Sequence, residues 1–179
     1  MDIYFTRHGQ TDWNLEKRAQ GKADTELNDE GIIQAETVKQ KLNNEKIDLI
    51  LCSPLKRARQ TADIINRGRN IPIIYDERIS ERDFGEFEGK IMRIGFNYED
   101  FWNYKKNITY KRAENIIDFF DRIFTFLDSI KEEYNGKSIL LVTHGGVSIP
   151  VICYFNGIPQ DGELSKLAIE NCEVLQYHL

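Results

Sequence analysis

Ser138-Ile139-Leu140-Leu141-Val142-Thr143-His144-Gly145-Gly146 is the stretch whose reading decides the fold. Four apolar residues in succession, with no polar alternation, predict a strand buried on both faces, and the run stops abruptly at a His-Gly turn. The chain opens in the same way. Ile3-Tyr4-Phe5 is short, aromatic and β-branched, and it halts at Thr6-Arg7-His8-Gly9. In both turns the glycine, lacking a Cβ, lets a ligand approach the backbone.

The elements between these two strands follow from the same patterns. Asn28 is predicted to cap a helix running to about Asn43, with Ile32, Ala35, Val38 and Leu42 spaced to face a core. Ile47 to Cys52 reads as a second strand. Ser53 as N-cap and Pro54 at the first helical position then open a helix through Ala58, Ala62 and Ile65 that ends near Gly68. Ile71 to Tyr75 reads as a third strand. Glu81 to Gly89 mixes charges, aromatics and glycines, which predicts a structured loop. Residues 96–110 carry aromatics and lysines without a clean period and form the centre of a lid segment near 90–112. A longer helix follows through Ile116, Phe120, Ile123, Phe124 and Leu127. After the second His-Gly turn, Val147 to Phe155 predicts a helix despite Pro150, and Val174 to Tyr177 an edge strand. Strands alternating with helices predict one domain over residues 1–179, a three-layer α/β/α sandwich around a mostly parallel sheet. Ligands of such sheets bind beyond the carboxyl ends of the strands, so His8 and His144 are predicted to share one rim.

Composition narrows the function. In 179 residues, 41% are hydrophobic, enough for a core without disulfides or metal. Charged residues make up 30%, with both signs interspersed and a net charge of −5, so no general basic field exists for nucleic acid or an anionic membrane. Any anion must be held locally. Cys52, Cys153 and Cys172 are odd in number and widely spaced, the pattern of reduced thiols. The start Met1-Asp2-Ile3-Tyr4-Phe5 lacks the features of a secretory signal, and no apolar run is long enough to span a bilayer. These features predict a cytoplasmic protein.

Arg7 beside His8 suits a bound oxyanion, because the planar guanidinium can hold two phosphate oxygens, and it would repel a metal cation. Lys56, Arg57 and Arg59 cluster at the start of the helix after Ser53-Pro54, where the helix dipole adds positive potential. Charge alone does not choose among the three. Nor does it choose among Glu77, Glu81, Asp83, Glu86 and Glu88, one of which, near an anion pocket, can protonate a leaving group. His178 reads as a surface residue.

Taken together, these motifs resemble the histidine phosphatase, or phosphoglycerate mutase-like, superfamily, and the resemblance runs through nearly the whole chain. It rests on Arg7-His8-Gly9-Gln10-Thr11 with Trp13-Asn14, Ser53-Pro54-Leu55-Lys56-Arg57-Ala58 with Thr61-Ala62, and Glu81 before Phe84-Gly85. Glu88-Gly89, Glu114 with Arg122, and His144-Gly145-Gly146 complete the series in order. The resemblance implies that His8 is the nucleophile, that Arg7, Arg57 and a cationic His144 complete the phosphate pocket, and that Glu81 is the proton donor. Asn14, Gln20, Gly21 and Gly145 fall at positions implied to bind substrate. No metal or cofactor is implied. The substrate implied is a small phosphate ester.

Mutases of this family carry long insertions before the second His-Gly turn, whereas that stretch is compact here, which favours hydrolysis. Among short members the pattern is similar to α-ribazole phosphatases, making α-ribazole 5′-phosphate the first expectation, with broad-specificity or phosphoserine phosphatase as the alternative. Phe96, Tyr98, Phe101, Trp102, Tyr104 and Tyr110 can stack on a substrate ring or pack the lid onto the domain. Lys105, Lys106, Lys111 and Arg112 can meet a substrate carboxylate or face solvent. Relatives usually have Gly-Glu-Ser where this chain has Ala113-Glu114-Asn115. Two rival classes, a metalloenzyme using His8, His144 and Glu81 and a non-catalytic binding module, disagree respectively with Arg7 and with the filling of every motif position.

Overall fold

The computed structural model describes residues 1–94 and 96–179. Five strands form one sheet: β1 (Asp2–Arg7), β2 (Leu49–Cys52), β3 (Ile73–Tyr75), β4 (Ser138–Thr143) and β5 (Val174–His178), in the order β3-β2-β4-β1-β5. All neighbours are parallel except β5, which runs antiparallel to β1 at the edge. The helices are α1 (Asp12–Leu15), α2 (Asp29–Lys41), α3 (Lys56–Asn66), α4 (Tyr98–Phe101), α5 (Ile116–Glu133) and α6 (Gly145–Asn156), with 3-10 turns at Glu77–Ile79 and Gly85–Phe87.

Strand side chains alternate between two cores. Ile3, Phe5, Leu49, Leu51, Ile139 and Leu141 pack on one face with α5 and α6. Tyr4, Ile50, Cys52, Leu140 and Val142 pack on the other with α2 and α3. Period-2 geometry explains why the central strands are apolar throughout: both faces are covered by helices, giving three layers.

Parallel register then builds the rim. Arg7 pairs with Thr143 across β1 and β4, so the next residues, His8 and His144, leave the sheet side by side. The His8 amide donates to the Thr143 carbonyl at 2.9 Å, and the Ser53 amide to the Val142 carbonyl at 3.0 Å. Three loops therefore start from one edge of the sheet.

Several local expectations shift. Asn28 caps α2 as predicted, accepting from the Gly31 amide. Ala35, Val38 and the C-capping Leu42 face inward as predicted, but Ile32 is 44% exposed and Gly31 takes the inward place in the first turn. Ser53 does not cap α3. The helix begins at Lys56 after Leu55, whose side chain cannot cap, and the Ser53 hydroxyl, two residues earlier, accepts from the Leu55 amide at 3.4 Å and lies 2.7 Å from His144 Nε2. Pro150 sits inside α6, which packs against α5 and β1 and is buried over most of its length. The lid segment contains α4 and is partly core: Phe101 and Trp102 are 1% exposed.

Candidate active site

His8 follows β1 in a buried turn, its ring 5.3 Å from that of His144. Its Nδ1 lies 2.7 Å from the Gly9 carbonyl, which can only accept, so Nδ1 carries the proton and Nε2 holds a lone pair. Burial, helped by the charges of Arg57 and Arg7, pushes the His8 pKa well below the ordinary imidazole value. The ring is neutral at pH 7 and its Nε2 is nucleophilic.

Arg57 is fully buried on α3, which selects it from its cluster. Its Nε donates to His8 Nε2 at 3.1 Å, while Nη1 and Nη2 donate to the carbonyls of Ala23 (2.7 Å) and Gly21 (2.9 Å). Burial lowers its pKa to about 10, so it stays charged at pH 7. Lys56 instead pairs with Glu26, and Arg59 covers the Tyr75 ring. Arg7 donates from Nη1 to the Ile169 carbonyl at 2.8 Å, leaving a buried Nε with no partner among the described residues. A Cβ at Gly145 would come within 3.1 Å of that guanidinium, a tight contact, so glycine at this turn gives Arg7 its room.

His144 caps α6 and is fully buried. Its Nε2 lies 2.7 Å from the Ser53 hydroxyl, and its Nδ1 has no partner among the described residues. The expected cationic His144 does not hold here. Burial first, then the charges of Arg57 and the neighbouring His8, drives its pKa well below the usual range, and the ring is neutral at pH 7. A neutral ring can still donate from Nδ1 if the Ser53 hydroxyl donates to Nε2 and so selects that tautomer.

Glu81 is 7% exposed, alone among the carboxylates of its loop in being buried. Its Oε1 accepts from the Arg82 amide (2.9 Å) and its Oε2 from the Gly146 amide (3.0 Å). Any Cβ at Gly146 would meet Oε1 at 2.1 Å, so the closeness of Glu81 to this turn also depends on glycine.

Arg7, His8, Arg57 and Glu81 line one cavity of about 280 Å³ that also includes Asn14, Gln20, Gly21 and Gly145, while His144 lies behind that wall, against His8 and the Ser53 hydroxyl. Asn14 Oδ1 accepts from the Thr11 amide and Gln20 Oε1 from the Thr11 and Thr25 hydroxyls. Their amide nitrogens have no such partner among the described residues and are free to donate. The Ala113-Glu114-Asn115 turn lies outside the cavity lining: Glu114 grips Arg122 in a two-point ion pair and Asn115 caps α5. Lys106 pairs with Asp100.

The chain belongs to the histidine phosphatase superfamily. The model for that superfamily's branch 1 matches residues 3–179. The chain is 34% identical over 169 residues to the uncharacterized phosphatase PhoE of Bacillus subtilis, covering 94% of this chain and 83% of that protein. Among solved structures, Bacillus stearothermophilus YhfR superposes with a TM-score of 0.88 at 32% identity, over 98% of this chain and 89% of that one. The α-ribazole phosphatase of Shigella flexneri superposes with a TM-score of 0.84 at 26% identity, with the same coverages. This histidine phosphatase is therefore an enzyme of the phosphatase kind with a phosphoglycerate mutase-like fold. Among its described residues no helix is long and apolar enough to cross a membrane.

Sequence reasoning missed several wall residues. Arg18, Met92, Arg93, Ser165 and Glu170 also line the cavity, and Tyr98 and Trp102 are the only lid aromatics of the predicted set that do so among the described residues. Ser165 and Glu170 come from the irregular stretch between α6 and β5, which carries no periodic signal. The Ser53 hydroxyl was readable only as a cap.

Proposed function

We propose that residues 1–179 form one phosphatase domain that hydrolyses a small phosphomonoester through a phosphohistidine on His8. The observation that carries this reading is the pinned tautomer of His8. With Nδ1 donating to the Gly9 carbonyl, Nε2 presents its lone pair between two arginines that can hold the phosphoryl oxygens.

In the first step His8 Nε2 attacks phosphorus and the P–O bond to the alcohol breaks. Glu81, carrying a proton, gives it to the departing oxygen, while Arg7, Arg57 and the Nδ1–H of His144 stabilise the charge spread over the equatorial oxygens. Asn14 and Gln20 add amide donors at the same end. In the second step Glu81 takes a proton from water, the resulting oxygen attacks the phosphohistidine, and the P–N bond breaks to release inorganic phosphate and His8. A metal cation at His8 would be repelled by the Arg57 guanidinium against Nε2 and by Arg7 on the same wall. A mutase reading would require the phosphoenzyme to be kept from water, for which the compact chain before the second His-Gly turn has no long cover.

The substrate reading rests on the rest of the cavity. α-Ribazole 5′-phosphate is supported by the likeness to the Shigella protein and by Tyr98 and Trp102 on the wall. The smaller phosphoserine type is supported by the state of those rings: guanidinium groups of Arg93 and Arg82 already lie over Tyr98 and Trp102, at 5.2 and 5.0 Å. The free thiols of Cys52, Cys153 and Cys172 fit a reducing compartment such as the cytoplasm. Rapid quench with a labelled ester tests the mechanism. Acid-labile, base-stable phosphate on His8 is expected, and label on any other residue overturns it.

A further inference from the structure

Four arginines line the cavity, and the chemistry at phosphorus uses only Arg7 and Arg57. Arg18 and Arg93 remain. They stand at the mouth, with side chains 39% and 61% exposed. Their backbones are tied together as one lip: Arg18 bridges to Ile91, Ala19 donates to the Lys90 carbonyl at 2.9 Å, and Met92 to the Lys17 carbonyl at 2.8 Å.

We infer that Arg18 and Arg93 form a second anion subsite, which selects phosphomonoesters whose alcohol part carries a carboxylate. This rests on the phosphatase reading above. Three observations support it. The partners now held by the two guanidinium groups, Glu16 for Arg18 and Glu99 for Arg93, are exposed carboxylates of the same surface, and exposed pairs of this kind exchange readily for a better anion. Arg18 is anchored from Nη1 to the Gly89 carbonyl at 2.8 Å, which leaves Nη2 without a partner among the described residues. Arg93 has φ +68°, a left-handed conformation that a non-glycine residue holds only at a cost, and strain of this kind gathers at ligand clamps.

The charges lining the cavity at this mouth are positive, and the carboxylates beside them lie outside the lining. Besides Glu81, the cavity has one carboxylate, Glu170, and its charge is felt at Arg7, toward the phosphate end. On the cavity wall itself the mouth presents Arg18, Arg93, Met92 and Tyr98, with the carboxylates of Glu16 and Glu99 on the outer side of the two guanidinium groups as the partners an incoming anion would replace. That suits a short carboxylate-bearing chain better than a neutral ring system, and planar guanidinium groups match a carboxylate fork for fork.

Matched esters test the subsite. O-phosphoserine differs from phosphoethanolamine by a carboxylate, and 3-phosphoglycerate differs from glycerol 3-phosphate by a carboxylate in place of a hydroxymethyl group. For the full-length protein we expect kcat/KM to favour the carboxylate member of each pair by about 10- to 100-fold, the range of charge-assisted hydrogen bonds. In both Arg18→Gln and Arg93→Gln that ratio should fall at least about tenfold toward unity, with Arg93→Lys intermediate. Arg93→Gln keeps the test open should loss of the Gly89 anchor unfold the lip in Arg18→Gln. A wild-type ratio near one, or a ratio unchanged in both variants, overturns the subsite. So does a preference for α-ribazole 5′-phosphate over every carboxylate ester. No release of phosphate from any ester, p-nitrophenyl phosphate included, would instead sink the phosphatase reading beneath it.

Discussion

His8 and Arg93 line the same cavity but are held in opposite ways. His8 leaves a central strand, is buried, and has its ring nitrogens engaged by a backbone carbonyl and by Arg57. Arg93 sits on a surface lip with a left-handed backbone and an exposed ion pair. The phosphate end is thus preorganised by sheet register and by the second His-Gly turn, whose two glycines sit against Arg7 and Glu81. The mouth is assembled from loops whose side chains can exchange partners. Chemistry common to many esters belongs in the rigid end, and discrimination among alcohols in the adaptable one.

The largest way to break this contrast is at Arg57. Replacing it by alanine removes a charge stabiliser and the donor to His8 at once, and we expect turnover of p-nitrophenyl phosphate to fall about 10³-fold. A drop of less than tenfold would mean that Arg57 is structural. Glu81→Gln should come next, costing about 10²- to 10³-fold on alkyl phosphates and far less on p-nitrophenyl phosphate, whose leaving group needs no proton. Equal losses on both would remove Glu81 as the acid.

Ser53→Ala sharpens the comparison inside the rigid end. It leaves His144 Nε2 without its partner, so the neutral ring no longer has its Nδ1–H tautomer selected. About a tenfold fall in kcat/KM is expected, together with a pH profile displaced toward acid, where a protonated His144 recovers the Nδ1 donor. A uniform loss with an unmoved profile would make Ser53 merely structural.

The smallest effect concerns stability. His8 and His144 both have folded-state pKa values lowered well below 6.5 by burial, so below about pH 6.5 the unfolded chain takes up protons that the folded one refuses. Stability should therefore fall as pH drops from about 7, by at most about 1.4 kcal/mol per pH unit for each ring, until the folded pKa values are reached. Thermal melts from pH 7 to pH 5 check the sign, and His144→Gln should flatten the slope. Variants at Arg93 should not change it, because the lip carries none of this buried titration.

Much of the rigid end was legible. The alternation of apolar runs with helical periods announced an α/β sandwich, and Arg7, His8 and His144 stand at turns that the residue pattern marked. Arg57 and Glu81 were legible only through the family resemblance, since a buried charge and its solvated neighbours look alike in sequence. The protonation of His144 was misjudged for a related reason: its charge depends on how completely β4, α6 and the arginines enclose it, and burial is a sum over distant neighbours.

By itself the sequence determined which segments become strands, where they stop, and which residue types gather at their ends, because these follow from local periodicity and from glycine. Only the tertiary structure decided that the Ser53 hydroxyl orients His144 rather than capping α3. It alone brought Arg18 and Arg93, 75 residues apart in the chain, onto one lip. Pairing between loops depends on where the whole sheet carries their ends, and no local pattern encodes that distance.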